Sequence, residues 1–101
     1  YRHCKHYNAE LIELMKTNAL GDIGEWSGIG WELNQPLFMG DFSGENMIGK
    51  TGFTGTCCVI DIARGVSVVM LSNRTYPKRP NNNEAINLFR RDIIDIVINS
   101  L

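Results

Sequence analysis

Hydrophobic and polar positions along the chain fall into two helical stretches with a block of extended segments between them. Leu11, Ile12, Leu14, Met15 and Ala19 recur at helical spacing behind Asn8, a residue type that caps helices, and Gly21 is a suitable stop; a helix is predicted over 8–19. A loop spans 20–27. In Gly28-Ile29-Gly30-Trp31-Glu32-Leu33 the apolar Ile29, Trp31 and Leu33 alternate with small or polar residues, which predicts a short strand ended by Pro36. Residues 34–46 read as a loop.

A second strand is expected from Met47, with a glycine-rich first half reaching Thr56 and an apolar second half reaching Ile62. Cys58, Ile60 and Ile62 fall on one face, Cys57 and Val59 on the other. Both faces are apolar, so this strand is expected to be covered on both sides. Asp61 to Gly65 carries a turn, and Val66 to Asn73 forms a third strand, antiparallel to the second. After a loop with Pro77, Pro80 and three asparagines, a last helix is predicted over 84–100. Its buried stripe is read as Ile86, Phe89, Ile93, Val97 and Leu101, with Arg90, Arg91, Asp92 and Asp95 facing water. The fold class is α+β: three antiparallel strands flanked by an N-terminal and a C-terminal helix, within one domain portion over 1–101.

Composition narrows the function classes. With 101 residues, 44% of them hydrophobic, the chain suits one domain or part of one. A net charge of −1 leaves no basic footprint for nucleic acid, and no apolar run approaches the roughly 20 residues that span a bilayer. The first residue is Tyr1 rather than methionine, which suggests a piece of something longer or a mature form. Cys57 and Cys58 are adjacent on a strand and read as small apolar residues. His3, Cys4 and His6 have no second ligand cluster to complete a tetrahedral metal site, so neither a metal nor another cofactor is expected.

The chemistry concentrates in Gly49-Lys50-Thr51-Gly52-Phe53-Thr54-Gly55-Thr56. Glycine lets a partner approach the backbone, threonine brings a hydroxyl, and lysine brings a compact positive charge. Together they suit one wall of a cleft for an anionic or carbonyl-bearing ligand. Two motifs match by letter. Gly44-Glu45-Asn46-Met47-Ile48-Gly49-Lys50-Thr51 fits the phosphate loop, and Lys50-Thr51-Gly52 fits the K-T-G triad of penicillin-recognising serine enzymes. A phosphate loop follows a buried strand and opens a helix. Upstream of Gly44, however, stands a proline-bearing segment, and downstream of Lys50 stand glycines, threonines and Cys57-Cys58-Val59-Ile60, which favour extended chain. The flanks therefore predict the triad on a strand.

Gly28-Ile29-Gly30-Trp31-Glu32, the octet from Gly49 to Thr56, and Val69-Met70-Leu71-Ser72-Asn73-Arg74-Thr75-Tyr76-Pro77 resemble successive motifs near the C-terminus of the serine β-lactamase and penicillin-binding-protein superfamily, most of all its class C branch. The resemblance covers roughly residues 10–101. It implies a large antiparallel sheet flanked by helices, with a separate helical domain carrying an acylated serine in S-x-x-K and a Y-x-N motif. On this chain it implies positive charge near the nucleophile from Lys50, a hydrogen bond from Thr51 to a substrate carboxylate, room for the acyl group at Gly52, and an oxyanion donor in the Phe53 N–H. The implied substrate is a β-lactam, a D-Ala peptide or an ester, and the implied location is extracytoplasmic or at the cell envelope; the sequence itself leaves the compartment open.

The chain departs from the family pattern in two respects. None of Ser27, Ser43, Ser67, Ser72 or Ser100 is followed three residues later by lysine, and none of Tyr1, Tyr7 or Tyr76 begins a Y-x-N. The nucleophile and its base are absent, so the expectation is the C-terminal segment of a serine hydrolase or transpeptidase, inert by itself. Its missing partner would be the N-terminal part of the same fold. Without that part the strands near 28–34 and 65–73 leave an unpaired edge, which predicts a homodimer, a strand swap or aggregation. Lys78 and Arg79 are placed to approach a substrate carboxylate, a solvated loop being the default reading. Two alternatives stand beside this: a non-catalytic interaction module, and a nucleotide-binding domain using Gly44 to Thr51.

Overall fold

The computed structural model describes residues 8–24 and 26–101. The order of elements is α1 (Ala9–Lys16), β1 (Glu32–Leu33), α2 (Pro36–Met39), β2 (Met47–Thr51), β3 (Cys57–Asp61), β4 (Val66–Met70) and α3 (Glu84–Asn99). The four strands form one antiparallel sheet in sequence order. The α+β class holds, and the sheet gains a strand over the sequence reading. His3, Cys4 and His6 lie outside the described residues.

The extra strand comes from the glycine-rich octet. The single strand expected over 47–62 is a hairpin: β2 pairs with β3 in the register Met47 to Asp61, Gly49 to Val59 and Thr51 to Cys57. Gly52 and Thr56 close it, the Gly52 N–H donating to the Thr56 carbonyl at 2.8 Å. The three-residue loop between them ends on Gly55, at φ 98°, a conformation that glycine reaches without a Cβ penalty. Lys50 therefore lies in a strand whose chain turns straight back. No helix follows it, and the phosphate-loop geometry is not there.

The strand expected over 28–33 is a tight loop for most of its length. The Gly28 N–H donates to the Trp31 carbonyl at 2.8 Å, and Gly30 takes φ 77°. Only Glu32 and Leu33 reach the sheet, opposite Gly49 and Ile48. The short helix α2, inside a stretch read as loop, starts with Pro36 in its first turn, where a missing N–H costs nothing. Helix α1 stops at Thr17 rather than near Gly21, while Asn8 caps it as expected, accepting from the Leu11 N–H at 2.8 Å.

The core sits between one face of the sheet and the pair α2 and α3. Phe38, Met39, Met47, Cys57, Val59, Ile94 and Ile98 form it. Burial alternates along β3, with Cys57, Val59 and Asp61 buried and Cys58 and Ile60 half-buried. The second face is thus only partly covered, against the expectation for this strand. There Ile12 and Met15 of α1 line an apolar groove of about 650 Å3 with Trp31, Ile48 and Ile60. Buried Asp61 pins the next turn, pairing with Arg64 Nη1 at 2.6 Å and accepting from the Arg64 N–H at 2.9 Å.

Helix α3 is rotated from the expected stripe by one residue, about 100° on a helix of 3.6 residues per turn. Its fully buried line is Arg90, Ile94 and Ile98, while Ile86, Ile93 and Val97 of the expected stripe are half-buried. Phe89 and Leu101 are exposed. Arg90, assigned to the solvated face from sequence, is 4% exposed.

Candidate active site

Strand pairing places the triad. Residue pairs across an antiparallel ladder share a face. Thr51, Cys57 and Met70 thus face α3, and Lys50, Cys58 and Val69 face the other way. Strand β1 covers β2 only at Ile48 and Gly49. Beyond its end, the outer edge of β2 at Lys50 and Thr51 has no neighbouring strand among the described residues, and such an edge offers backbone donors and acceptors to an extended ligand. Lys50 Nζ leans back toward β1, 2.8 Å from Glu32 Oε1. An exposed pair of this kind adds little stability, so the ammonium is readily exchanged to another anion.

Gly52 has a local reason to be glycine: a Cβ there would run into the Thr56 hydroxyl. The following turn is held from two sides. From the segment after β4, the Arg74 N–H donates to the Thr54 carbonyl at 2.9 Å and Ser72 Oγ to the same oxygen at 3.2 Å. From α3, Arg90 reaches three carbonyls: Nε donates to Gly55 at 3.2 Å, and Nη2 donates to Thr56 at 3.1 Å and, more weakly, to Gly52 at 3.4 Å. Nη1 donates to Asn87 Oδ1 at 2.8 Å. These partners satisfy every guanidinium nitrogen of Arg90, which is how a charged side chain is buried here. Burial pulls the Arg90 pKa below its ordinary value; Cys57 opposes that shift and Arg74 adds to it. Burial likewise pushes the Cys57 thiol up to about 11, against the pull of Arg90, so the thiol stays neutral and acts as an apolar core group.

Sequence reasoning missed Arg90, because its role depends on carbonyls 34 to 38 residues away. It also missed the cluster around it. Thr51, Gly52, Phe53, Arg74, Arg79, Asn83 and Arg90 line a small polar pocket of about 180 Å3. The Arg79 guanidinium lies 4.7 Å over the exposed Phe53 ring. Among the described residues, the carboxylate ion pairs involve Lys16, Lys50, Arg64 and Arg91, and none involves Arg74, Arg79 or Arg90. Three guanidinium groups thus converge on the helix side of the triad without a protein carboxylate. Arg79, placed from sequence near a substrate carboxylate, is among them; Lys78 does not line this pocket.

A family model described as Beta-lactamase matches residues 7–91. The chain belongs to the β-lactamase family. A relative from Escherichia coli (strain K12), named "Putative D-alanyl-D-alanine carboxypeptidase", is 31% identical over 94 residues, covering 88% of this chain and 21% of the relative. A second of the same name from Escherichia coli O157:H7 is 30% identical over 94 residues with the same coverage. The chain therefore spans about a fifth of the length of these curated relatives, 21% in each case. No solved structure matches it. For a β-lactamase-family chain, the antiparallel sheet with helices packed on it is the expected partial fold, and no described helix is long and apolar enough to cross a membrane.

Proposed function

We propose that residues 1–101 are the C-terminal portion of a serine hydrolase or transpeptidase, supplying one wall of an acyl-transfer site. The observation that carries this reading is the open edge at Lys50 and Thr51, continued by a turn in which the Phe53 N–H has no acceptor among the described residues. In this reading Lys50 gives positive charge beside a serine held by the missing part of the fold. Thr51 donates to a substrate carboxylate, and Gly52 keeps the wall flat for the acyl group. The Phe53 N–H receives the oxyanion, charge that develops only in the transition state, and one such donor is worth about 3–4 kcal/mol. Arg74, which donates to Asn82 and Asn83, and Arg79 pair with no carboxylate among the described residues, and they favour a substrate bearing a carboxylate, as β-lactams and D-Ala peptides do, over a neutral ester.

The test uses the longer polypeptide that this reading requires. Incubation with a fluorescent penicillin should leave a covalent adduct on it, and Lys50→Ala should slow adduct formation. The 101-residue chain alone should take up no label, having no S-x-x-K serine. Absence of any adduct on the longer polypeptide, with penicillin and with an activated ester, would remove the proposal.

The same reading assigns a partner to the far edge of the sheet. Strand β4 has no strand beyond it among the described residues, and Val69 and Leu71 are 64% and 83% exposed. We assign this edge to strands from the missing part of the fold. The chain alone should then pair β4 with a second copy. Sedimentation should show concentration-dependent association that Val69→Lys weakens, since a charge on an edge strand blocks pairing; a monomer at every concentration would count against it.

A further inference from the structure

The geometry points to Arg90 as the residue that aims the oxyanion donor, acting through the backbone rather than by touching substrate. This inference rests on the reading of the Phe53 N–H given above. The peptide between Gly52 and Phe53 is a trans unit, as peptides preceding a non-proline residue almost always are. In a trans peptide the C=O and N–H are locked in one plane and point in opposite directions. Whatever fixes the Gly52 carbonyl therefore fixes the Phe53 N–H, pointing the other way.

The Gly52 carbonyl is held from within the turn and from α3. It accepts from the Gly55 N–H at 3.0 Å and from Arg90 Nη2 at 3.4 Å. The same guanidinium holds the Gly55 and Thr56 carbonyls. One planar, rigid group thus collects three carbonyls of a five-residue turn and turns them toward the helix. The Phe53 N–H is left directed away from α3, free of any acceptor among the described residues. Glycines at 52 and 55 leave this backbone soft, and Gly55 holds φ 98°. Inside the turn the Gly52-Phe53 peptide is held only by the Gly55 N–H on its carbonyl, and Arg90 adds the anchor that ties that carbonyl, with those of Gly55 and Thr56, to α3. Arg90 supplies that anchor because Ile94 and Ile98, one and two turns along the same face, seat α3 in the core. Lysine, a point charge with one donor head, would reach one or two of the carbonyls but would not span all three.

The experiment compares wild type, Arg90→Lys and Arg90→Met in the longer polypeptide, with Ile98→Val as a control for lost stability. Acylation by a penicillin is read as separate binding and chemical steps. Arg90→Met should slow the chemical step about 100-fold, the scale of losing one oxyanion donor, with binding of the intact β-lactam unchanged. Arg90→Lys should recover part of that loss, and Ile98→Val should leave the step unaltered. In the 15N spectrum, the Phe53 amide of Arg90→Met should shift or split into several signals.

A chemical step within twofold of wild type in Arg90→Met would overturn the inference, as would an equal loss in Ile98→Val. An undisturbed Phe53 amide in Arg90→Met would overturn it regardless of activity. If the wild type forms no adduct but the Phe53 amide still moves in Arg90→Met, the clamp stands as a backbone device and the acyl-transfer reading falls.

Discussion

Replacing Ile94 by alanine is expected to lower the unfolding free energy by about 3–4 kcal/mol, near the middle of the range for emptying a fully buried aliphatic site. Ile94 is 0% exposed and sits among Phe38, Met39, Met47 and Val59, where α3 meets both α2 and the sheet. Its neighbourhood is stiff. The Asp41 N–H donates to Asp95 Oδ1 at 2.8 Å and Arg91 pairs with Asp41 at 2.7 Å, so α2 and α3 have little freedom to close on a cavity. Phe89→Ala in the same helix removes a larger side chain, yet Phe89 is half-exposed, and its loss should fall within roughly 1 kcal/mol. Urea unfolding at unchanged m-value gives both numbers. The reverse order, with Phe89 the costlier loss, would place the buried line where the apolar periodicity puts it and refute the register of α3.

The second large effect lies in the triad turn. Gly55→Ala is expected to cost about 2–3 kcal/mol, combining a left-handed backbone with a steric conflict. Gly55 holds φ 98°, which alanine adopts poorly, and a Cβ there would press on Ser72 Oγ with Arg74 Cδ and Ile86 Cδ1 at 3.2 Å. The two causes can be separated by a double-mutant cycle. Ser72→Ala in the Gly55→Ala background removes the hydroxyl conflict and leaves the backbone penalty, so it should restore only part of the loss. Full restoration would show that the backbone conformation costs nothing, and an unchanged stability in Gly55→Ala would deny both causes. Because Arg90 holds the Gly55 carbonyl, this substitution should also disturb the Phe53 amide.

Local pattern was enough for several elements. Asn8 capping α1, the hairpin of β3 and β4 closed through Asp61 to Gly65, the alternation of Cys57 against Cys58, and the extent of α3 all follow from interactions within a few residues. The extended conformation at Lys50 was legible too, because glycine, threonine and the apolar run after them disfavour a helix. The break between β2 and β3 was not. The loop Phe53-Thr54-Gly55 carries no Asn-Gly or Asp-Gly signal, and a strand tolerant of glycine reads the same as a turn until its pairing partner is known.

The sequence by itself determined the α+β class, the extended chain at Lys50 and membership of the β-lactamase family. Tertiary structure alone decided which line of α3 is fully buried. An isoleucine-rich helix offers two apolar lines, one through Ile86, Phe89, Ile93 and Val97, the other through Ile94 and Ile98 but interrupted by Arg90. Periodicity rejects the interrupted line because a buried charge is costly in isolation. The fold accepts it because the turn after β2 brings three carbonyls to that guanidinium, and distant backbone acceptors leave no trace in the local pattern of hydrophobic and polar residues.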